Sequence, residues 1–267
     1  MPAEQSSPIP FLPYPSHKPL YNLAGYKTTL RSKGISMFVR RHLLACLGFL
    51  GFPHGASSAR AASLGDWLES AGVAQLFVSA DIPAKSYIQP TTKMMPNLRE
   101  GDVVLADLRQ AGQQPARGEI ILSKYQGTSV YFDRVIGLPG ERVALRKGTL
   151  VIDGKEIAQE AAGTIDYEAF GKHLTRSLFV ESLPGARPHK IARNLETGGF
   201  LDNIAETVVT PGHLYLLGDN RDDSVDSRVA SRGQVPIADV VGRVVYRMRP
   251  DAGWLVPRES VPGLPKE

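Results

Sequence analysis

Gly218-Asp-Asn-Arg-Asp-Asp-Ser-Val-Asp-Ser-Arg228 follows the apolar run His213-Leu-Tyr-Leu-Leu217 and puts four aspartates and two arginines into eleven residues. Charged side chains are seldom buried unless they are paired. A run this dense, directly after a strand, therefore marks either a chemical site or a salt-bridged corner of the fold. Val240-Val-Gly-Arg-Val-Val-Tyr246 follows it as a second strand, so the run is a loop between strands.

Working outward, the chain from Ala84 is β-rich. Asp102–Ala106, Glu119–Leu122, Ser129–Phe132 continuing through Val135-Ile136, and Arg142–Leu145 are short apolar or alternating runs bounded by Gly, Pro or charge. Asp153-Gly154 between Thr149–Ile152 and Lys155–Ile157 signals a hairpin. Residues 158–207 are more polar and read as an irregular β insertion, within an inserted region spanning 149–207. Before the strands, Leu64, Trp67, Leu68, Val73, Leu76 and Phe77 recur near helical spacing, which predicts a short amphipathic helix over Leu64–Ser79. The expected organisation is an extension with export signal at 1–61, a helical lead-in at 62–82, a β domain at 83–249 and a loose Pro-rich tail at 250–267.

Composition narrows the function. The formal net charge is +4, but residues 1–61 hold seven Lys/Arg against Glu4 alone, leaving 24 basic and 26 acidic residues in the remainder. The basic character belongs to the leader, which argues against nucleic-acid binding. Cys46 is the single cysteine, so internal disulfides and cysteine metal clusters are excluded. His173, His189 and His213 lack metal-ligand spacing and read as surface or loop histidines; no metal or cofactor is expected. Met37-Phe-Val-Arg-Arg-His42, the apolar run Leu43–Phe52 and Ala59-Arg-Ala61 follow the order of a cleaved export signal. Ten apolar residues fall short of the roughly 20 of a membrane span. The expectation is an exported, periplasmic protein cut near Ala61. An uncleaved membrane anchor is the alternative, and peripheral membrane contact is compatible with either.

Two further motifs give the charged run a context. Lys93-Met-Met-Pro-Asn-Leu-Arg-Glu-Gly-Asp102 resembles Ser-Met-x-Pro-Thr-Leu-x-x-Gly-Asp of the type I signal peptidase family. Asp133-Arg-Val-Ile-Gly-Leu-Pro-Gly-Glu141 resembles that family's Lys-Arg-Val-Ile-Gly-Leu-Pro-Gly-Asp, and Gly218–Arg228 resembles its third motif. The resemblance runs from about Pro83 to Met248. It implies a mainly β fold of small antiparallel sheets, and a serine endopeptidase that removes signal peptides with a Ser/Lys pair. It also assigns roles. Lys93 stands at the nucleophile position and Asp133 at the base position, where the family has Ser and Lys. Thr91 stands at the oxyanion-hole position and Ser224 at the base-orienting position. Asp219 and Arg134 match the pair that ties the loop to the base-bearing strand. Met94, Pro96, Leu98, Asn220, Arg221, Asp226 and Arg228 keep supporting places, while Asn97 replaces the family's Thr.

Those two departures remove the family's chemistry. An amine attacking a peptide carbonyl forms another amide, not a hydrolysable intermediate, and Asp133 has no hydroxyl at 93 to activate. An ammonium and a carboxylate at these positions would instead form a salt bridge. The expected protein is a pseudoenzyme that keeps a cleft for an extended peptide with small residues, bound by strand addition. The alternatives are an active peptidase using a hydroxyl of Thr91 or Thr92 with the Lys93 amine, an apparatus-specific maturation peptidase such as those of conjugation systems, or an assembly module. Ser86 reads as an ordinary strand residue, and Thr92, if extended, faces away from Lys93.

Overall fold

The computed structural model describes residues 63–265 apart from 128, 170 and 196–200. The leader, its cleavage site and Cys46 lie outside the described residues.

Helix α1 spans Leu64–Ser79. It starts there because Ser63 caps it: the Ser63 hydroxyl accepts from the Asp66 N–H at 3.1 Å, and the Asp66 carboxylate accepts from the Ser63 N–H at 2.7 Å. Its buried face carries Ser70, Val73 and Phe77.

Among the described residues fifteen strands follow: β1 Ala84–Ile88, β2 Val103–Asp107, β3 Ile120–Tyr125, β4 Ser129–Gly137, β5 Arg142–Arg146, β6 Thr149–Ile152, β7 Lys155–Glu156, β8 Gln159–Ala169, β9 Lys172–Glu181, β10 His189–Arg193, β11 Ile204–Val208, β12 His213–Leu217, β13 Val235–Pro236, β14 Val240–Arg249 and β15 Gly253–Trp254. They make three antiparallel sheets. The largest runs β1-β2-β14-β3-β4-β12-β13, with β15 also on β14; the others run β10-β9-β8 and β11-β5-β6-β7. The fold is mainly β with a single α-helix among the described residues. At the β6–β7 hairpin Asp153 and Gly154 both adopt positive φ, 48° and 76°, which is why this pair suits the two-residue turn.

Three sequence expectations change. Much of 158–207 is regular rather than irregular: β8 and β9 form a long hairpin of 11 and 10 residues with one register shift, between Ala161 and Thr164. Most β8 side chains lie exposed or half-exposed on both faces, so the strand carries no apolar alternation to read. The segment after Pro250 is not loose. β15 pairs with β14, and Val256 and Val261 are buried with Val73, Phe77, Ile82, Leu105, Val245 and Tyr246 beneath α1. Thr92 is not extended: Thr92–Met94 is a 3₁₀ turn, and the Thr92 side chain is buried.

That turn is anchored from below. Met94 and Leu98 are fully buried among Val104, Ala106, Ile120, Leu122, Phe132 and Val244, which fixes where Lys93 emerges above the large sheet. A separate core against the four-stranded sheet joins Ile136, Val143, Leu145, Leu150 and Ile152 to Tyr215 and Leu217.

Phe77 is 1% exposed and stacks against Trp254 with ring centroids 6.5 Å apart. Phe77→Ala is expected to lower unfolding stability by about 3–5 kcal/mol, measured by urea denaturation. A loss no greater than that of an exposed-site control such as Leu68→Ala would contradict the packing of α1 against the C-terminal segment.

Candidate functional site

The 3₁₀ turn, β4 and the loop after β12 converge on one small volume. Lys93 reaches from the turn and Asp133 from the middle of β4, and the Lys93 ammonium lies 2.5 Å from the Asp133 carboxylate. Asp133 is fully buried, and Lys93 is 7% exposed. The ammonium also donates to the Val225 carbonyl at 2.7 Å and sits over the Tyr131 ring, 4.9 Å from its centroid. These contacts direct its charge at an acid, a carbonyl and an aromatic face, the partners a nearly buried cation needs.

Arg232 completes the cluster, and nothing in the sequence motifs pointed to it. Its guanidinium lies 3.2 Å from Asp133 and donates to the Ser123 hydroxyl at 2.6 Å and the Lys124 carbonyl at 2.9 Å. It is flanked by the Tyr125 and Tyr131 rings, at 4.9 and 5.4 Å. The cross-strand register Ser123↔Tyr131 explains the shared neighbourhood, since β3 and β4 bring these residues side by side. One carboxylate is therefore held by two cations.

Thr91 caps the 3₁₀ turn. Its hydroxyl accepts from the Lys93 N–H at 3.4 Å, a long contact. Ser224 lies next to Val225 on the loop, but its hydroxyl is engaged elsewhere: it donates to Asp226 and accepts from Arg228 at 3.1 Å. The loop presses close to the turn at Gly218, where an added Cβ would lie 2.5 Å from the Ser224 Cβ and 2.9 Å from the Lys93 carbonyl. Only glycine fits between them. Asn220 then clips the two segments together: its N–H donates to the Lys93 carbonyl at 2.9 Å and its side chain to the Thr92 carbonyl at 3.2 Å.

Most of the rest of the charged run is ion-paired, while Asp222 accepts from the Asn194 N–H at 2.5 Å. Arg134 grips Asp219 through two hydrogen bonds of 2.7 and 2.6 Å, and Asn97 adds a third at 2.7 Å. Arg221 binds Glu181 of β9 at 3.0 and 2.5 Å, Arg228 binds Asp226, and Arg176 of β9 binds Asp223 at 3.2 Å. Tyr167 of β8 donates to Asp223 and accepts from Asn220 at 2.9 Å. Ala192 of β10 adds a parallel bridge to Asn220. The three-stranded sheet thus buttresses the loop. Met94 is buried in the core below, while Pro96 is half-buried.

His189 is not a surface residue. It is buried at the start of β10, 3.5 Å from Glu181 and 3.9 Å from Asp219. Burial pushes its pKa far down, and Arg134 and Arg221 push the same way, so it is a neutral packing residue here. His173 is exposed, as the sequence suggested, and His213 is half-buried on β12.

Two outcomes follow from the pairing. Asp133→Asn leaves Lys93 and Arg232 facing each other without their shared carboxylate, and is expected to cost about 3–5 kcal/mol of stability. Lys93→Gln leaves Asp133 still paired with Arg232, so its cost should be clearly smaller; equal losses in denaturant titration would show that Arg232 does not share the acid. Asp226 supplies the second. Burial pushes its carboxyl up, but the Arg228 charge and hydrogen bond, the Lys93 charge and the Ser224 hydroxyl outweigh this and hold it down at about 2. A lowered acid contributes stability that is present above its unfolded value near 4 and is lost as pH falls through 2. The contribution is up to about 2 kcal/mol. Acid titration of stability should therefore fall more steeply between pH 4 and 2 in the native chain than in Asp226→Asn.

The profile of the family described as "Signal peptidase, peptidase S26" matches residues 64–249. The signal peptidase I of Bacillus caldolyticus is 29% identical over 166 residues, covering 62% of this chain and 79% of that protein. The signal peptidase IB of Staphylococcus aureus strain MW2 is 28% identical over 192 residues, covering 69% and 89%. A crystal structure of a signal peptidase I from Enterococcus faecalis V583 is 25% identical and covers 49% of this chain and 97% of that one; its TM-score of 0.29 is too low to carry a fold comparison. With the match extending across both the helix and the strands that build the site, the chain belongs to the signal peptidase family, peptidase S26.

Proposed function

We propose that this chain is a signal peptidase homologue that binds an extended peptide, of the signal-peptide kind, without cutting it. The observation that carries the reading is the 2.5 Å contact between Lys93 and Asp133. If these are the nucleophile and base positions of the family, both reactive places are filled by an ion pair. An ammonium paired with a carboxylate has no lone pair to act as a base, and neither group offers a hydroxyl to form an acyl intermediate.

The surroundings support a retained cleft. Strand β1 is the first strand of the large sheet, so among the described residues one of its edges has no strand partner. It leads, within five residues of Ile88, to Thr91 and the Lys93 N–H, donors of the kind that polarise a carbonyl. A peptide added to that edge would run toward the ion pair. The export of the chain, its cleavage near Ala61 and its position at a membrane belong to the same proposal. No helix among the described residues is long and apolar enough to cross a membrane.

The rearranged-peptidase reading has less support. Thr92 is buried, with its carbonyl taken by Asn220, while the Lys93 amine is committed to Asp133 and Val225. Incubation of the purified full chain with an Ala-x-Ala signal peptide should leave the peptide intact by mass spectrometry. Cleavage that survives extensive purification and disappears in Lys93→Ala would overturn the non-cutting reading in favour of the rearranged pair.

A further inference from the structure

The contact at the centre of the site differs from an ordinary ion pair. Lys93 Nζ lies 2.5 Å from Asp133 Oδ1, closer than the roughly 2.7–2.9 Å of an aligned ammonium–carboxylate bond. Yet Asp133 Oδ1, although buried, accepts no hydrogen bond. The nitrogen thus meets the carboxyl group closely without the alignment of a hydrogen bond, while its own bond goes to the Val225 carbonyl at 2.7 Å. A nitrogen this near one carboxyl oxygen is about 3–3.5 Å from the carboxyl carbon, the separation from which covalent bonds form.

Three features let this pair condense where its neighbours do not. Arg134, Arg221, Arg176 and Arg228 hold their acids through guanidinium groups, which do not lose a proton. Lys93 instead carries an amine, a nucleophile once a proton leaves it. The pair is also dry, its two side chains 8 and 0% exposed. Burial disfavours separated charges, so a proton can cross from Nζ to Oδ1 and leave an amine facing a carboxylic acid. Finally, Arg232 lies 3.2 Å from the other oxygen, Oδ2, where negative charge gathers when the carboxyl carbon is attacked. Arg232 favours the ionised acid as well, so the neutral pair is the minor form. A catalyst needs its free amine at every turnover, whereas a bond made once in the life of the molecule needs it only once.

We infer that Lys93 and Asp133 join as an intramolecular amide, an autocatalytic cross-link between the 3₁₀ turn and β4. The Nζ lone pair adds to Asp133 Cγ, and the Cγ–Oδ1 bond breaks. Oδ1 leaves as water with two of the three ammonium protons; the third stays on the amide nitrogen, and Oδ2 becomes the amide oxygen beside Arg232. Nothing is oxidised and no co-reactant is consumed. With Arg228 set against Asp226 and Asp222, the cluster holds three cations and three acids, and condensation removes one of each. The desolvation cost of a buried charged pair is thereby exchanged for a neutral group. The cross-link goes beyond the peptide-binding reading and is tested without any peptide.

Purified full chain, kept folded at neutral pH, is digested with trypsin and its fragments are weighed by mass spectrometry. The expected product is a branched fragment in which the Lys93 and Asp133 segments travel together, lighter than their sum by one water and uncut after Lys93. Lys93→Arg keeps the positive charge and should yield only separate linear fragments. Separate fragments of full mass from the native chain after prolonged incubation would overturn the cross-link, whatever the peptide-binding assays give. Loss of water confined to the Asp133 fragment, unattached to Lys93, would be a succinimide between Asp133 and Arg134 and would overturn it equally. If Lys93→Arg fails to fold, Lys93→Met supplies the control, and the native-chain fragments decide the question in any case.

Discussion

Arg134 and Asp219 form the interaction on which the site depends. The two are 85 residues apart in sequence, one on β4 and the other at the start of the charged loop, and both are almost fully buried. Their two-point contact leaves the guanidinium little rotational freedom, so it fixes direction as well as distance. With Asn97 reaching the same carboxylate, strand, turn and loop meet at one acid. Lys93, Asp133 and Thr91 are then held by backbone on elements that cannot shift independently. Buried ion pairs add little net stability relative to apolar residues of the same shape. Their contribution here is register, because each arginine of the network accepts one geometry.

Reading the sequence located the elements well wherever burial is one-sided. Helix α1 was legible from the spacing of Trp67, Val73 and Phe77, and the strands on the large sheet from their apolar runs, to within a few residues at their ends. Asp153-Gly154 gave the hairpin because few other pairs accept positive φ twice in succession. What escaped was structure without a periodic signal. β8 is exposed or half-exposed along its whole length and so shows no alternation of burial, while β9 buries the charged Arg176 and Glu181 beside Leu178, which blurs its apolar pattern. His189 looked like a loop residue because burial by a neighbouring sheet leaves no local mark. The segment after Pro250 looked loose because its prolines obscure Val256 and Val261, which share a core with Val73 and Phe77 of the distant helix.

The site was legible as a neighbourhood and illegible as a charge balance. The resemblance named Lys93, Asp133, Asp219 and the loop, and these residues do come together. Arg232 was missed because it sits four residues beyond the charged run, in a Ser-Arg-Gly turn with no motif of its own. Only the β3–β4 register, which sets Ser123 beside Tyr131, reveals that its guanidinium arrives at Asp133. Ser224 illustrates the converse: a recognisable position whose hydroxyl is oriented by Asp226 and Arg228, so that position alone did not define its partners.

The packing of α1 has a consequence for the order of events when the chain is made. The helix is among the earliest described residues to be synthesised. Ser70 bonds to the Met248 carbonyl, Glu69 to Tyr246, and Asp66 to the Ala252 N–H, while Phe77 rests on Trp254. None of these partners exists until the chain has been extended as far as Tyr246–Trp254. A 16-residue helix is marginal by itself in water, and contacts of such sequence separation form late. Until β14 and β15 have been made, the helix therefore waits without these partners, and that strand pair closes over it like a latch.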